Sequence, residues 1–208
     1  MLREAGRWRM NPSDLFALVE SRSSVRRYAE RPVPDETILS IIESARKAPS
    51  AENTQPWRFV VVKDPQARQK LSRACFSGIY RPTQFAAQAP VIVALCADRS
   101  AFLERAGEII QRIAFYQLDC GIAGEHLVLA AAALGLGTCW IGWFDRRKAK
   151  KVLGVPAHGE VVSLIAMGYP AEGTVPRQKV RRPLASMVWL DAWGKRYPGT
   201  DQRDSKEK

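Results

Sequence analysis

The segment Ala133-Leu134-Gly135-Leu136-Gly137-Thr138-Cys139-Trp140-Ile141-Gly142 marks a change from a long apolar helix to a buried strand. Residues 101–134 are predicted to be the longest helical stretch, and Gly135 ends it. Residues 138–144 then read as a strand that is apolar on both faces, which predicts a central place in its sheet. A glycine inside a buried strand marks a close approach by a ligand or by another backbone. Tight strand packing explains such a glycine equally well.

Strands and helices alternate around this segment. Residues 58–63, 90–97 and 160–167 are short apolar runs typical of buried strands. Asn11-Pro12-Ser13 predicts the start of one helix, and Asp35 is predicted to cap a second. Apolar residues recur in that second helix at spacings of 3, 4 and 7: Ile38, Ile41, Ile42 and Ala45. Strands separated by helices favour an α+β or α/β fold.

Length and composition indicate one domain, since 208 residues with 46% hydrophobic content can build a substantial core. We assign residues 13–199 to it, residues 1–12 to a flexible arm and residues 200–208 to a disordered polar tail. No run approaches the roughly 20 apolar residues of a membrane span, and no secretory signal is recognisable. The four cysteines lack metal-ligand spacing, so we expect reduced thiols in a cytoplasmic protein without a metal site.

The net charge of +11 raises the question of nucleic-acid or membrane binding. The basic residues are spread over four segments, 22–31, 63–73, 146–151 and 177–182. The densest of these, residues 146–151, is predicted to be the solvated face of a short helix ending at Leu153-Gly154. No zinc-finger, RNP or basic-zipper pattern accompanies it. Neither nucleic acid nor membrane is therefore an expected partner, and salt-sensitive nucleic-acid binding remains a minor alternative.

Several common catalytic signatures are missing from the sequence. It contains no GxSxG elbow, no Walker A loop and no HExxH. Gly135 and Gly137 follow a helix and precede a strand, which is the reverse of the Rossmann order. His126 lies in an apolar helix and is expected to be a packed residue rather than part of a hydrolase triad.

Arg22-Ser23-Ser24-Val25-Arg26 is the first of two further candidate binding segments. In an extended chain alternate side chains share a face, so Arg22, Ser24 and Arg26 would point together. Two guanidinium groups and a hydroxyl form a good receptor for phosphate. A solvated basic loop is the alternative interpretation.

Pro49-Ser50-Ala51-Glu52-Asn53-Thr54-Gln55-Pro56-Trp57 is the second. Its two prolines fix a rigid loop between a helix and a strand. Asn53 and Gln55 each offer a donor and an acceptor, which matches the mixed edge of a heterocycle. An ordinary turn whose Asn and Gln bond to local backbone is the alternative.

Taken in order, the three segments resemble the nitroreductase family of flavoproteins. That family shows Arg-Arg-Ser-x-Arg, then Pro-Ser-x-x-Asn-x-Gln-Pro-Trp, then Ala-Leu-Gly-Leu-Gly-Thr-x-Trp-Ile-Gly. Met167-Gly168-Tyr169-Pro170 and Arg181-Arg182-Pro183-Leu184 extend the resemblance, which covers roughly residues 13–195. It implies an α+β fold, a three-layer sandwich with a central mixed, mainly antiparallel sheet flanked by helices. It also implies a domain-swapped homodimer with FMN at the interface.

The resemblance further assigns residues to FMN binding. The phosphate would be held by Arg22, Ser24 and Arg181, and Arg26 would lie near the pyrimidine edge of the ring. Loop residues of the partner subunit would line the ring, and the end of the strand would border its other side. The full set that it implies is Arg22, Ser23, Ser24, Arg26, Pro49, Ser50, Asn53, Gln55, Trp140, Ile141, Gly142 and Arg181. Ser23 departs from the family, which usually has a second arginine there.

The activity implied is reduction of a small-molecule acceptor, a nitroaromatic, quinone or related compound, by NADH or NADPH in a ping-pong mechanism. The hydride would pass through flavin N5, so no catalytic side chain is expected. Residues 101–118 would supply the substrate lid. The deiodinase branch of the family uses a Glu-x-x-x-Tyr pair, which this sequence lacks. A flavin-binding relative that fragments reduced flavin or oxidises its substrate is the alternative.

Overall fold

In the computed structural model, which describes residues 11–100, 113–175 and 179–200, four strands form one antiparallel sheet. The strands are β1 (Trp57–Val62), β2 (Val91–Asp98), β3 (Gly137–Ile141) and β4 (Gly159–Gly168), and their order across the sheet is β1-β2-β4-β3. Three of them match the predicted strands to within one residue at each end. The fourth, β3, is shorter than predicted because it ends at Ile141.

β3 lies at one edge of this sheet, so the prediction that it is central is wrong. An extended segment covers its outer side. Ser24 forms a parallel bridge with Thr138, and the Val25 N–H donates to the Thr138 carbonyl at 2.9 Å. The strand is apolar on both faces because helices cover both faces of the sheet. Two apolar faces show that a strand is covered on both sides of the sheet, but they do not show whether the strand is central or at an edge.

Five helices accompany the sheet within the described ranges. They are α1 (Pro12–Ser21), α2 (Asp35–Arg46), α3 (Pro65–Cys75), α4 (Phe115–Ala133) and α5 (Arg146–Val152). The 3-10 segments Ala51–Asn53, Gly78–Gln88 and Leu184–Ser186 also lie within the described residues.

Helix starts follow local side-chain chemistry. Asn11 caps α1 as predicted, since its Oδ1 accepts the Ser13 N–H at 3.1 Å. The prediction that Asp35 caps α2 is wrong. Pro34 occupies the cap position, and Asp35 is the first helical residue, where its carboxylate pairs with Lys63. A carboxylate in the first turn still favours the helix dipole.

The two faces of the sheet are buried by different helices. On β2, the alternate residues Ile92 and Ala94 pack in the core with side chains of α3 and α5. Val91 and Val93 point the other way and pack with side chains of α2 and α4. Because successive strand residues face opposite sides, this arrangement is the helix–sheet–helix sandwich that the resemblance implies.

The chain divides into two compact units, Met1–Pro176 and Arg177–Lys208. The sheet and all five helices belong to the first. The second contains Leu184–Ser186 and a stacked pair, Trp189 and Trp193, whose ring centroids lie 4.0 Å apart. No helix in the described part of the chain has both the length and the hydropathy needed to cross a membrane. Most of the predicted arm and tail lies outside the described residues.

Candidate functional site

The segment that follows α1 is fixed by backbone bonds to β3. The helix ends where the Arg22 N–H donates to the Leu18 carbonyl at 3.1 Å. Val25 is 8% exposed and fills the space beside Gly137, where a β-carbon would clash with its side chain. Ser24 and Arg26 on either side of it are exposed. The predicted alternation is present, and it directs the polar side chains away from the core.

The Cys139 thiol, on β3, lies within electrostatic reach of these polar side chains. Burial raises the pKa of that thiol, and three groups oppose the rise: the Arg26 charge, a hydrogen bond from Ser24 and the Arg22 charge. Arg22, Ser24 and Arg26 therefore lie near the Cys139 thiol, and the shared face of the three side chains stays a prediction. The β3 edge therefore has concentrated positive charge beside a hydroxyl, the donor set that suits a phosphate.

Tyr28 holds the far end of the same segment. Its hydroxyl donates to the Val25 carbonyl at 2.6 Å and lies 3.4 Å from the Ala166 carbonyl of β4. Burial raises the pKa of this phenol well above its usual value, so it remains a donor. The backbone of residues 24–28 is thus tied to the sheet at both ends, which fixes where the charged side chains emerge.

The end of β3 presents an exposed ring and an exposed glycine. Trp140 is 38% exposed, and its indole lies against Gly124 of α4, where a β-carbon would collide with it. Ile141 is 2% exposed and belongs to the core, so it can reach a ligand only through its backbone. Gly142 is exposed, with open space where a side chain would stand. A flat ligand can approach both the indole face and the bare backbone here.

The loop before β1 has an unusual backbone. Glu52, Asn53 and Gln55 adopt positive φ angles of 48°, 58° and 48°, a region that residues with a β-carbon rarely enter. The polar side chains of the loop hold this shape. Ser50 Oγ accepts the Gln55 N–H at 2.9 Å, and Gln55 Nε2 donates to Asn53 Oδ1 at 3.1 Å. Strain of this kind occurs at functional sites, and Pro49 stands exposed at its start.

The sheet separates this loop from the cationic segment within one chain. The loop leads into β1, and β1 and β3 are opposite edges of the sheet. Three strand spacings of about 4.8 Å amount to roughly 14 Å. Arg181 lies exposed in the second unit. One chain therefore brings together the predicted residues at the β3 edge, and it holds the loop residues at the other edge.

The 3-10 segment Gly78–Gln88 adds residues that the sequence analysis missed. Phe85 lies beneath the Arg26 guanidinium, with the carbon of that group 5.5 Å from the ring centroid. Trp143 donates from Nε1 to the Ile79 carbonyl at 2.9 Å, and its ring lies 5.4 Å from that of Tyr80. The only signal in the sequence was the position of Trp143, directly after Gly142. The contacts of Phe85 with Arg26, and of Trp143 with Ile79 and Tyr80, join distant segments, so no local sequence pattern predicts them.

Three other predictions concern side chains near the site. Ser23, the departure from the family pattern, lines a cavity of about 210 Å³ together with Arg22 and Gly135. His126 is partly buried, with Nδ1 3.3 Å from the Ser44 carbonyl, as expected of a packed residue. The predicted lid falls largely on residues 101–112, which lie outside the described residues. Residues 115–118 begin α4.

The buried thiols are poor candidates for acid–base or nucleophilic chemistry. Burial raises the pKa of Cys75 and of Cys120 to about 12, and that of Cys96 to about 11. They therefore remain protonated near neutral pH and are weak nucleophiles. Among the residues that the structure describes, no three His, Cys, Asp or Glu side chains cluster to hold a metal ion. The β3 edge is better suited to binding an anionic, aromatic ligand.

Comparison with known proteins gives a consistent result. The family model described as Nitroreductase family matches residues 19–169. A protein of Thermus thermophilus named NADH dehydrogenase is 33% identical over 193 residues, covering 80% of this chain and 91% of that protein. A putative NADH dehydrogenase/NAD(P)H nitroreductase of Archaeoglobus fulgidus is 35% identical, covering 76% and 87%. Human iodotyrosine deiodinase 1 is 28% identical, covering 84% and 68%.

Solved structures agree with the sequence relatives. A nitroreductase family protein of Clostridium difficile superimposes with a TM-score of 0.71 at 27% identity, covering 84% of this chain and 96% of that one. A putative NADH dehydrogenase/NAD(P)H nitroreductase of Parabacteroides distasonis gives 0.69 at 26% identity, covering 86% and 99%.

Proposed function

Because this chain belongs to the nitroreductase family, we propose that it is an FMN-dependent oxidoreductase that uses NADH or NADPH to reduce a nitroaromatic, a quinone or a related acceptor. The two substrates would react in turn, in a ping-pong sequence. The observation that carries the proposal is the β3 edge, where a backbone bond to Thr138 fixes the segment that follows Arg22 and leaves Ser24 and Arg26 exposed, with the exposed Trp140 further along the same strand.

The chemistry of this edge fits the two ends of FMN. Arg22 and Ser24 supply a charge-assisted donor and a hydroxyl for the phosphate. Arg26, held over Phe85, supplies a fixed positive charge for the electron-rich pyrimidine part of the ring. Arg181 is proposed as a further phosphate ligand from the second unit. Bound FMN would supply the redox chemistry, accepting electrons from the nicotinamide and passing them to the acceptor.

The residues at the end of β3 are proposed to orient the ring. Gly142 has no side chain, so its backbone amide is open to a flat ligand. The Trp140 indole offers an apolar surface that excludes water from one side of it. None of these groups titrates near neutral pH, which suits a site that orients a cofactor and does not itself exchange protons.

A homodimer is proposed because, within one chain, the loop before β1 lies at the edge of the sheet opposite to β3, where the flavin is proposed to bind. Pro49, Ser50, Asn53 and Gln55 would reach FMN from a second copy, in an assembly that exchanges terminal segments. Exposed apolar helix faces support such a contact, since α1 buries none of its residues. The exposed apolar side chains on α1 and α4 are Leu15, Phe16, Val19, Leu118 and Ile122. Exposed apolar surfaces of this kind mark protein–protein interfaces.

The names of the relatives support the choice of donor. Those from Thermus and Archaeoglobus are named for NADH or NAD(P)H chemistry. Iodotyrosine deiodination is not proposed, because the sequence has no Glu-x-x-x-Tyr pair. We further propose a cytoplasmic location, with no nucleic-acid or membrane partner.

Anaerobic titration tests the function directly. The purified protein should be yellow or take up added FMN, and NADH or NADPH should bleach the flavin absorbance. Menadione or nitrobenzene should then restore it. Steady-state rates should give parallel double-reciprocal lines, the pattern of a ping-pong mechanism. A colourless protein that takes up no FMN would refute the proposal.

A further inference from the structure

Trp143 is a large aromatic side chain held in place on the surface. It is 55% exposed although it lies only two residues after Ile141, the buried end of β3. Its indole Nε1–H donates to the Ile79 carbonyl at 2.9 Å, and its own carbonyl accepts from Thr83 Oγ1 at 3.0 Å. These bonds fix the orientation of the ring without burying it. An exposed indole restrained in this way is pre-organised to bind another ring, because little side-chain freedom remains to be lost.

Two neighbours extend the surface of Trp143. The Tyr80 ring lies 5.4 Å away, tilted by 56°, which is a favourable geometry for an aromatic pair. Ile79 is 70% exposed beside them. The Thr83 hydroxyl also lies 2.7 Å from the Tyr80 carbonyl, so its single proton is shared between the backbone carbonyls of the two aromatic residues. We call Ile79, Tyr80 and Trp143 the aromatic ledge.

The ledge adjoins the proposed flavin site. Trp143 is the residue after Gly142, and consecutive Cα atoms lie about 3.8 Å apart. Trp143 is therefore adjacent to the backbone amide that is proposed to face the flavin ring. The other end of the same 3-10 segment carries Phe85, which supports Arg26. The segment Gly78–Gln88 therefore supplies two residues of the ledge and also supports the cationic part of the site. A compound resting on Trp143 would border the cofactor.

We propose that the aromatic ledge is the acceptor subsite, and that it selects planar aromatic acceptors by stacking on Trp143. This inference rests on the proposed function and narrows its substrate class. Small acceptors without a ring gain nothing from the ledge. Naphthoquinones and nitroarenes gain both apolar contact and ring stacking. Trp143 sets acceptor affinity and takes no part in holding the phosphate.

Binding to the oxidised, FMN-loaded protein, with no nicotinamide present, isolates this role. The variants are Trp143→Ala and Trp143→Phe, and the matched control is Leu39→Ala, which truncates a side chain 65% exposed on α2. We expect Trp143→Ala to weaken menadione binding about tenfold, and Trp143→Phe to stay within about threefold of the parent. Leu39→Ala should bind menadione as the parent does. Isothermal titration gives the dissociation constants.

A second readout separates recognition from damage to the site. Flavin reoxidation is followed after anaerobic reduction, with menadione or with ferricyanide as the acceptor. Trp143→Ala should slow only the reaction with menadione, because ferricyanide has no ring to stack. Tyr80→Leu, which removes the supporting ring and keeps Trp143, should show the same selectivity with a smaller loss.

Several results would overturn the inference. One is menadione affinity unchanged in both Trp143→Ala and Tyr80→Leu, and another is equal slowing with both acceptors. A third is a dimer in the parent that sediments as a monomer in Trp143→Ala, which would assign Trp143 to a subunit contact. Parent protein that takes up no FMN refutes the proposed function at the loading step, before any acceptor is added, and removes the ledge proposal with it.

Discussion

The two edges of the sheet hold their polar side chains in opposite ways. At the β3 edge, backbone bonds from residues 24 and 25 to Thr138 fix the chain, and Ser24 and Arg26 are exposed. At the β1 edge, the loop is held mainly by its own side chains, together with a bond from the Ala51 N–H to Asp119 Oδ1 of α4 at 3.1 Å. Ser50, Asn53 and Gln55 bond to one another and hold a backbone with three positive φ angles.

This difference separates two kinds of binding surface. Side chains at the β3 edge can give charge to a ligand, since the sheet already fixes their backbone. Loop side chains have committed donors and acceptors to a local shape, so the loop would contribute mainly a rigid contour. A change at the β3 edge should therefore alter ligand affinity most, and a change in the loop should alter stability most.

Arg22→Ala should have the largest effect. Losing a charge-assisted phosphate contact should cost about 1.5–3 kcal/mol of FMN affinity, roughly 10- to 150-fold in dissociation constant. Arg146→Ala is the control, because it removes the same charge from an exposed residue of α5 that pairs with Glu160 at 3.4 Å. Fluorescence titration of the apoprotein measures both. Equal affinities in the two variants would place the phosphate elsewhere.

Gly124→Ala tests how the β3 edge positions its indole. The new methyl group collides with Trp140, so the free energy of unfolding should fall by about 1–3 kcal/mol. Gly121→Ala, in the same helix with nothing within 4 Å, should raise it by up to about 1 kcal/mol. Urea unfolding distinguishes them. If both substitutions stabilise the protein, the close packing of Trp140 on α4 is wrong.

Ser50→Ala tests the loop. It removes the acceptor of the Gln55 N–H and should lower the free energy of unfolding by about 1 kcal/mol. Ser40→Ala removes a hydroxyl that bonds to the Glu36 carbonyl on the exposed face of α2, where alanine is a better helix former, so stability should be unchanged or slightly higher. Chemical denaturation of the two variants gives the comparison. A neutral Ser50→Ala would mean that the loop does not depend on this bond.

Arg26→Gln should have the smallest effect, on the pKa of Cys139. Burial raises this pKa, and the Arg26 charge opposes the rise, so removing the charge should raise it further. The thiol then stays protonated to higher pH, and its alkylation at a fixed alkaline pH should slow. Cys96, whose pKa burial alone raises to about 11, is the internal reference. Mass spectrometry of iodoacetamide-treated protein follows both, and an unchanged ratio would show that Arg26 points away from β3.

Much of the fold could be predicted because local patterns encode it. Hydrophobic periodicity located the four strands and the buried stripe of α2, and Asn11-Pro12-Ser13 located the start of α1. The three binding motifs were also legible as residue types in order. What failed was the central place assigned to β3 and the cap assigned to Asp35. The place of β3 depends on pairing with distant strands, whereas the cap was displaced by one residue because the adjacent Pro34 occupies that position.

The sequence by itself determined which faces of the strands and helices are apolar and which residues carry charge, because alternation along a strand or a helix is a property of adjacent residues. Only the tertiary structure decided that Val25 closes the edge of β3, that Phe85 supports Arg26 and that Trp143 rests on Ile79. Strand order and contacts between distant segments arise from pairing across tens of residues. Such pairing depends on the packing of the whole sheet, so the hydrophobic periodicity of a single segment cannot predict it.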